Sequence, residues 1–236
     1  MSGHSKWAQI HRQKGTADAK SGALFTKLGK VISVAARLGG PDPTANFKLR
    51  LAVDQAKAAN LPKENIERAI KRGLGESGEG KIEAVNYEGF GPNGVALIIE
   101  CLTDNRNRTS SNIKHVLVKY GGNLGGPNSV SWIFENRGVI RINQINESLE
   151  LALIDAGAQD IVKNADGVVV YTAPNDLKMI KDFLEQKGIK AEYAEIEQMA
   201  KEKKAVDNET KNQLEKLFSE LDDDEDVNNY YTNAEI

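Results

Sequence analysis

The sequence predicts an α+β protein: an N-terminal three-helix domain followed by two ferredoxin-like α/β domains, the last inserted into the middle one. Three observations carry this expectation. Apolar residues recur at helical spacing up to Gly73, and from Lys81 the period changes to alternation. Over residues 139–196 the elements follow the order βαββαβ, that of a ferredoxin-like unit. A helix and a strand are then left over at 208–221 and 226–233, too few for a domain alone, so they return to the sheet begun at residue 83. The expected domains are 1–80, 81–136 together with 205–236, and the insert 137–204.

Residues 1–20 hold too few apolar groups to bury a face and read as an extended or partly helical arm. The first helix spans about 21–38, where Leu24, Phe25, Leu28, Val31, Ile32 and Ala35 make one apolar stripe. Lys20, Lys27, Lys30 and Arg37 share a different side, which the pattern assigns to solvent. Gly39-Gly40-Pro41 stops this helix, and Asp42-Pro43 reads as the N-cap and first position of the second. Asn60-Leu61-Pro62 turns the chain into a third helix ending at Gly73, with Glu64–Arg68 and Glu67–Lys71 pairs along it.

Strands are expected at 83–88 and 94–102 around the turn-rich Gly89–Gly94 segment, then a helix at about 108–120 and a strand through Val130–Phe134. The regular part follows as strand 139–142, helix 146–156, strands 158–163 and 167–172, helix 175–187 and strand 189–196.

Charge is distributed unevenly. Residues 1–73 hold fourteen Lys/Arg against five acids, a net +9, which leaves −12 for the remainder of a chain whose total is −3. Such polarity points to a polyanionic partner for the basic end. Lys6, His11, Arg12, Lys14 and Lys20 supply cations or hydrogen bonds to phosphates, whose counterions are released on binding. Trp7 has two roles open to it, stacking on an unpaired base or packing onto the helices. Lys27, Lys30 and Arg37 extend the cationic surface along the first helix. Arg106 and Arg108, where a strand enters a helix N-terminus, read as a secondary phosphate contact, with pairing to nearby carboxylates as the alternative.

Other chemistries fit less well. Asp104, Ser111 and His115 lack a nucleophile elbow, and capping explains Asp104 or Asn105. Gly121–Gly126 lacks the Gly-Lys-Ser/Thr ending of a phosphate loop. Three scattered histidines and the lone Cys101 make no zinc site, and one cysteine makes no disulfide. The second and third helices superficially resemble a helix-turn-helix, but the third exposes Glu64 and Glu67 among its cations. No apolar run approaches a membrane span, and the N-terminus has no apolar segment of a secretory signal. Asp222–Asp226 reads as a solvated acidic turn.

Several motifs are specific. They are Gly3-His4-Ser5-Lys6-Trp7, Asp18-Ala19-Lys20, Leu24-Phe25-Thr26-Lys27-Leu28, the run Ala56–Lys71, and Tyr87-Glu88-Gly89-Phe90-Gly91-Pro92. Leu102–Thr109, Gly121–Gly125 and the closing Tyr231–Ile236 complete the set. The pattern resembles the YebC/PmpR family from end to end. That resemblance implies three domains, the first helical and the others α/β, and no enzymatic activity. It also implies two kinds of work: DNA-binding transcriptional regulation, and, as for the mitochondrial translational activator of cytochrome c oxidase, ribosome-associated translation. The chain departs from the family at Ser21-Gly22-Ala23, where relatives often carry further cations.

The expectation is therefore a cytoplasmic, monomeric, non-enzymatic regulator of gene expression. Its partner is nucleic acid, either DNA or ribosomal RNA. No cofactor, metal, membrane or small-molecule substrate is expected.

Overall fold

The computed structural model describes residues 19–78, 80–164 and 167–236. Helices α1 (Ala19–Gly39), α2 (Phe47–Ala58) and α3 (Lys63–Gly73) open it. Leu28, Ile32, Ala35 and Ala36 on α1 bury against Leu49, Ala52, Val53 and Ala56 of α2 and Ile66 and Ala69 of α3. Ser33 Oγ donates to Ala69 O at 2.7 Å. At Gly73 a Cβ would stand 2.3 Å from Ser33 O, so only glycine allows α1 and α3 to approach this closely.

The second helix begins later than its sequence signal. Asp42 closes its own turn, accepting from Thr44 N and Thr44 Oγ1 at 2.8 Å. Asn46 is the cap, its Oδ1 accepting from Leu49 N at 3.1 Å. Its Nδ2 meanwhile donates to Ala35 O and Gly40 O, each at 2.8 Å. An amide can do both jobs because it carries donor and acceptor together, which a carboxylate cannot. Asn46 thereby joins the end of one helix to the start of the next.

Strands β1 (Glu83–Phe90) and β2 (Ala96–Thr103) pair antiparallel from Glu83↔Thr103 to Phe90↔Ala96. Helix α4 (Arg106–Lys119) and the short β3 (Asn123–Leu124) follow. After residue 200 come β8 (Lys204–Ala205), α7 (Asn208–Asp223), β9 (Val227–Thr232) and β10 (Ala234–Glu235). The sheet order is β3-β1-β2-β9, so the β1–β2 hairpin is central and β9 is an edge. β2 is buried on both faces, which is why it reads as an apolar run broken only by the half-buried Glu100 before the closing Thr103. Val95, Leu97, Ile99 and Cys101 pack with Ile113 and Leu117 of α4 and Leu214, Leu217, Phe218 and Leu221 of α7. Ala96 and Ile98 turn the other way, onto Val130, Phe134 and Tyr231. Val34 of α1 packs with Ile82 and Leu102, attaching the helices to this sheet.

The strand expected through Val130–Phe134 is instead a single 3-10 turn, Ser131–Ile133, leading into β4 (Phe134–Ile142). The cause is Glu88, whose carboxylate takes the N–H groups of Val130 at 2.8 Å and Ser131 at 2.9 Å. Those donors are no longer available to a strand neighbour.

From β4 the chain continues through α5 (Glu147–Asp155), β5 (Asp160–Asn164), β6 (Gly167–Thr172), α6 (Leu177–Gln186) and β7 (Tyr193–Ala200). The order is βαββαβ and the sheet runs β5-β6-β4-β7, as in ferredoxin-like folds. Within this sheet Ile140, Ile142, Val168 and Val170 are buried, as are Leu149 and Leu153 of α5 and Ile180 and Leu184 of α6. Contacts separate two compact units: the described residues up to Phe134 together with Ala200–Ile236, and Glu135–Met199.

Replacing Asn46 tests its double role. Asn46→Ala is expected to cost roughly 2 kcal/mol by denaturant unfolding, from the lost cap and from stranded carbonyls. Asn46→Asp keeps the cap but sets a negative charge against the C-terminal end of α1, so it should recover less than half of that loss. Wild-type stability in Asn46→Asp would reduce the residue to a cap alone.

Candidate nucleic-acid interface

The residues singled out in the sequence fall into three places. Lys6, Trp7, His11, Arg12 and Lys14 lie outside the described residues. Lys20 falls in the first turn of α1, with its side chain likewise outside the description. The remaining five are described, and what surrounds them changes their reading.

Helical spacing does put Lys27, Lys30 and Arg37 on a common side of α1, but that side is not solvent-facing. Lys27 Nζ donates to Asp222 O at 2.6 Å. Lys30 Nζ donates to Glu225 O at 2.9 Å and pairs with Asp226 Oδ1 at 2.7 Å, its side chain only 13% exposed. Arg37 donates to Ile82 O. The expected solvent stripe is thus an internal seam between α1 and the α7–β9 corner. Two attractions explain it: the carbonyl end of α7, negative by its dipole, and the acidic run Asp222–Asp226 beside it. Burial lowers the Lys27 pKa, while Asp222, Asp224 and Asp223 work in the opposite direction.

Asp226 is the centre of this seam. It is 4% exposed. Besides Lys30, its carboxylate accepts from Arg108 Nη2 and Thr109 Oγ1, both at 2.8 Å. Thr103 Oγ1 lies 3.3 Å away, and the Asp226 carbonyl accepts from Leu102 N at 2.8 Å. Burial alone would raise its pKa, but the hydrogen bonds from Lys30, Arg108 and Thr109 outweigh it and hold the carboxyl at about 2. The acidic turn that the sequence leaves to solvent therefore ties together α1, α4 and β2.

Arg108 is spent on the same cluster, bonding Asp104 Oδ1 at 3.0 Å as well as Asp226. Its neighbour Arg106 pairs with Glu83 at 2.7 Å yet keeps its side chain 65% exposed. The start of α4 is capped by Asn105, which accepts from Arg108 N at 3.1 Å. Beyond it, Asn107, Ser111, Lys114 and His115 are exposed on a helix that contains no Asp or Glu. The sequence singles out His115 only in a dismissed triad and Lys114 not at all, although the absence of acids over Arg106–Lys119 is visible there. Asp104 engages Arg108 and, at 3.9 Å, Arg72.

Among the described residues no group of His, Cys, Asp and Glu is placed to hold a metal ion. No described helix is long and apolar enough to cross a membrane. Burial pushes the Cys101 thiol well up, so it is protonated in the core.

Two family models match the chain. Residues 5–76 match the TACO1/YebC protein N-terminal domain, and residues 82–234 match the TACO1/YebC second and third domain. A probable transcriptional regulatory protein of Thermoanaerobacter pseudethanolicus is 45% identical, the match covering 100% of this chain and 98% of the relative. Another of that description, from Caldanaerobacter subterraneus subsp. tengcongensis, is 46% identical over 100% of this chain and 99% of its own length. The crystal structure of a conserved hypothetical protein from Aquifex aeolicus superposes with a TM-score of 0.86 at 42% identity, covering 94% of this chain and 93% of that one.

Asp226 makes stability depend on acid. Its folded pKa of about 2 lies below the usual carboxylate value, so its contribution is complete above pH ~4 and is lost as pH falls towards 2. That contribution is about 2 kcal/mol, an upper figure because Arg108 is half exposed to screening solvent. Asp226→Asn should cost roughly 3 kcal/mol at pH 7, since it leaves Lys30 enclosed without its counter-charge. Urea unfolding at pH 7 and pH 3 checks both values, and the variant should lose less stability than wild type between them.

Proposed function

This chain belongs to the TACO1/YebC family, and from that premise we propose that it is a non-enzymatic regulator of gene expression that grips nucleic acid through its N-terminal arm. The observation that carries this reading is the composition of residues 1–17, which contain Lys6, Arg12, Lys14, His11 and Trp7 and no acid at all. Lys27, Lys30 and Arg37 are engaged by the protein itself. The burden of binding phosphates moves to Lys6, Arg12, Lys14 and Lys20, with Trp7 and His11 among them. Arg106, more exposed than Arg108, leads a second contact along the acid-free face of α4. The names of the curated relatives favour transcription as the process, and DNA is the polyanion that process would offer the arm.

A second reading, ribosomal RNA and translation, is favoured by the surface of α3. Lys63 pairs with Glu67 at 3.7 Å, and Arg68 donates to Asn65 Oδ1 at 2.6 Å. These replace the expected Glu64–Arg68 and Glu67–Lys71 pairs, and a helix of mixed charge with Lys63 and Arg68 engaged is a poor reader of the major groove. Structured RNA offers phosphates on several sides and unstacked bases, which an arm can reach.

Removing residues 1–18 is expected to abolish mobility-shift binding while leaving unfolding unchanged. Each neutralised phosphate contributes about −0.7 to −0.9 to the salt slope, so replacing Lys6, Arg12, Lys14 and Lys20 by Ala should flatten it by about 3. Lys30→Ala should lower stability and leave the slope alone. Binding that survives the truncation would refute the arm. Crosslinking in cells separates the readings, promoter fragments supporting transcription and ribosomal RNA supporting translation.

A further inference from the structure

Trp132 is the most exposed large apolar side chain among those described, 69% open on the 3-10 turn Ser131–Ile133. Its neighbours in sequence face inward: Val130 and Phe134 are buried, and Ile133 packs against their cluster. An indole left outside such a turn needs a reason, because Val130 and Phe134 on either side are buried and Ile133 is half-buried against them.

The turn is also held in place. The Glu88 carboxylate accepts from Asn128 N at 2.9 Å, Val130 N at 2.8 Å and Ser131 N at 2.9 Å. Burial pushes that carboxyl up, but these N–H groups outweigh it and hold it below the usual range. Gly125 closes the segment, where a Cβ would stand 2.3 Å from Ser129 Oγ. The indole Nε1 donates back to Ser129 O at 3.2 Å, which ties the ring's polar edge to the turn while the side chain stays 69% exposed. Lys201 is tied alongside, its N–H on Ile133 O and its Nζ on Trp132 O, both at 2.9 Å. The local run Lys201-Glu202-Lys203-Lys204 is net cationic.

A fixed, exposed indole beside a cationic connecting segment matches what unpaired nucleic acid needs: a surface for the base and a charge for the adjoining phosphate. We infer that Trp132 is a stacking platform for an unpaired nucleobase, with Lys201 and Lys203 receiving the flanking phosphates. This is a site on the turn before β4, separate in sequence from the arm, and it rests on the nucleic-acid reading above. Glu88 acts as a positioning residue, through the turn rather than by touching the ligand. Both RNA and DNA single strands present the required groups, while a duplex hides its base faces.

Trp7 and Trp132 are the only two tryptophans, so Trp7→Phe leaves Trp132 as the sole reporter. Titration of full-length Trp7→Phe with oligouridylate or oligothymidylate of about 12 nucleotides should quench its fluorescence, and a duplex should not. Trp132→Ala should weaken oligouridylate binding roughly five- to hundredfold, with Trp132→Phe in between. Glu88→Gln should reduce the Trp132 quench while the arm's salt slope stays as it was. If Trp132 fluorescence is unmoved and Trp132→Ala binds like wild type, the platform is wrong and the arm stands. If wild type binds no oligonucleotide and no longer nucleic acid, both readings fail. Dimerisation lost in Trp132→Ala, without any quench, would give the face to a second copy of the chain and overturn the inference.

Discussion

A single buried carboxylate organises the first unit. Asp226 lies where three elements converge, and each supplies it with a donor: Lys30 from α1, Arg108 and Thr109 from α4, Thr103 from the end of β2. A buried anion without such partners would be strongly unfavourable, so the elements must hold their relative positions for the site to be tolerable. The geometry thereby becomes specific as well as stable. The helical domain is attached to the sheet by this cluster, by the packing of Val34 on Ile82 and Leu102, and by Arg37 on the Ile82 carbonyl.

This arrangement reassigns the charges of the chain. The basic N-terminal segment and the acidic C-terminal run look like opposite poles along the sequence, and part of each neutralises the other. What is left for an external polyanion is narrower than the total suggests.

The same economy recurs at Glu88. Its carboxylate stands in for a strand neighbour, satisfying three N–H groups of a loop and turning what reads as a strand into a rigid turn. In both places a carboxylate gathers donors from segments far away in sequence, side chains at Asp226 and backbone N–H groups at Glu88. The rigidity matters because an aromatic side chain that is already ordered loses little entropy when it binds.

The sequence by itself determined the periodicities, and through them the helices, the central hairpin and the βαββαβ order. Those depend on contacts between near neighbours and on which residues share a face. Its motifs, spread from Gly3 to Ile236, also carried the family. It could not say what each face would meet. Lys27, Lys30 and Arg37 share a side by helical geometry, but Lys30 reaches a carboxylate 196 residues away. Asp42 carries a sound capping signal, yet Asn46 took that place because only an amide could also donate to the end of α1. Val130–Phe134 has strand composition, but Glu88 claims its donors. In each case spacing fixes orientation within an element, whereas the partner across the contact comes from tertiary packing, which alone decided which charges face water.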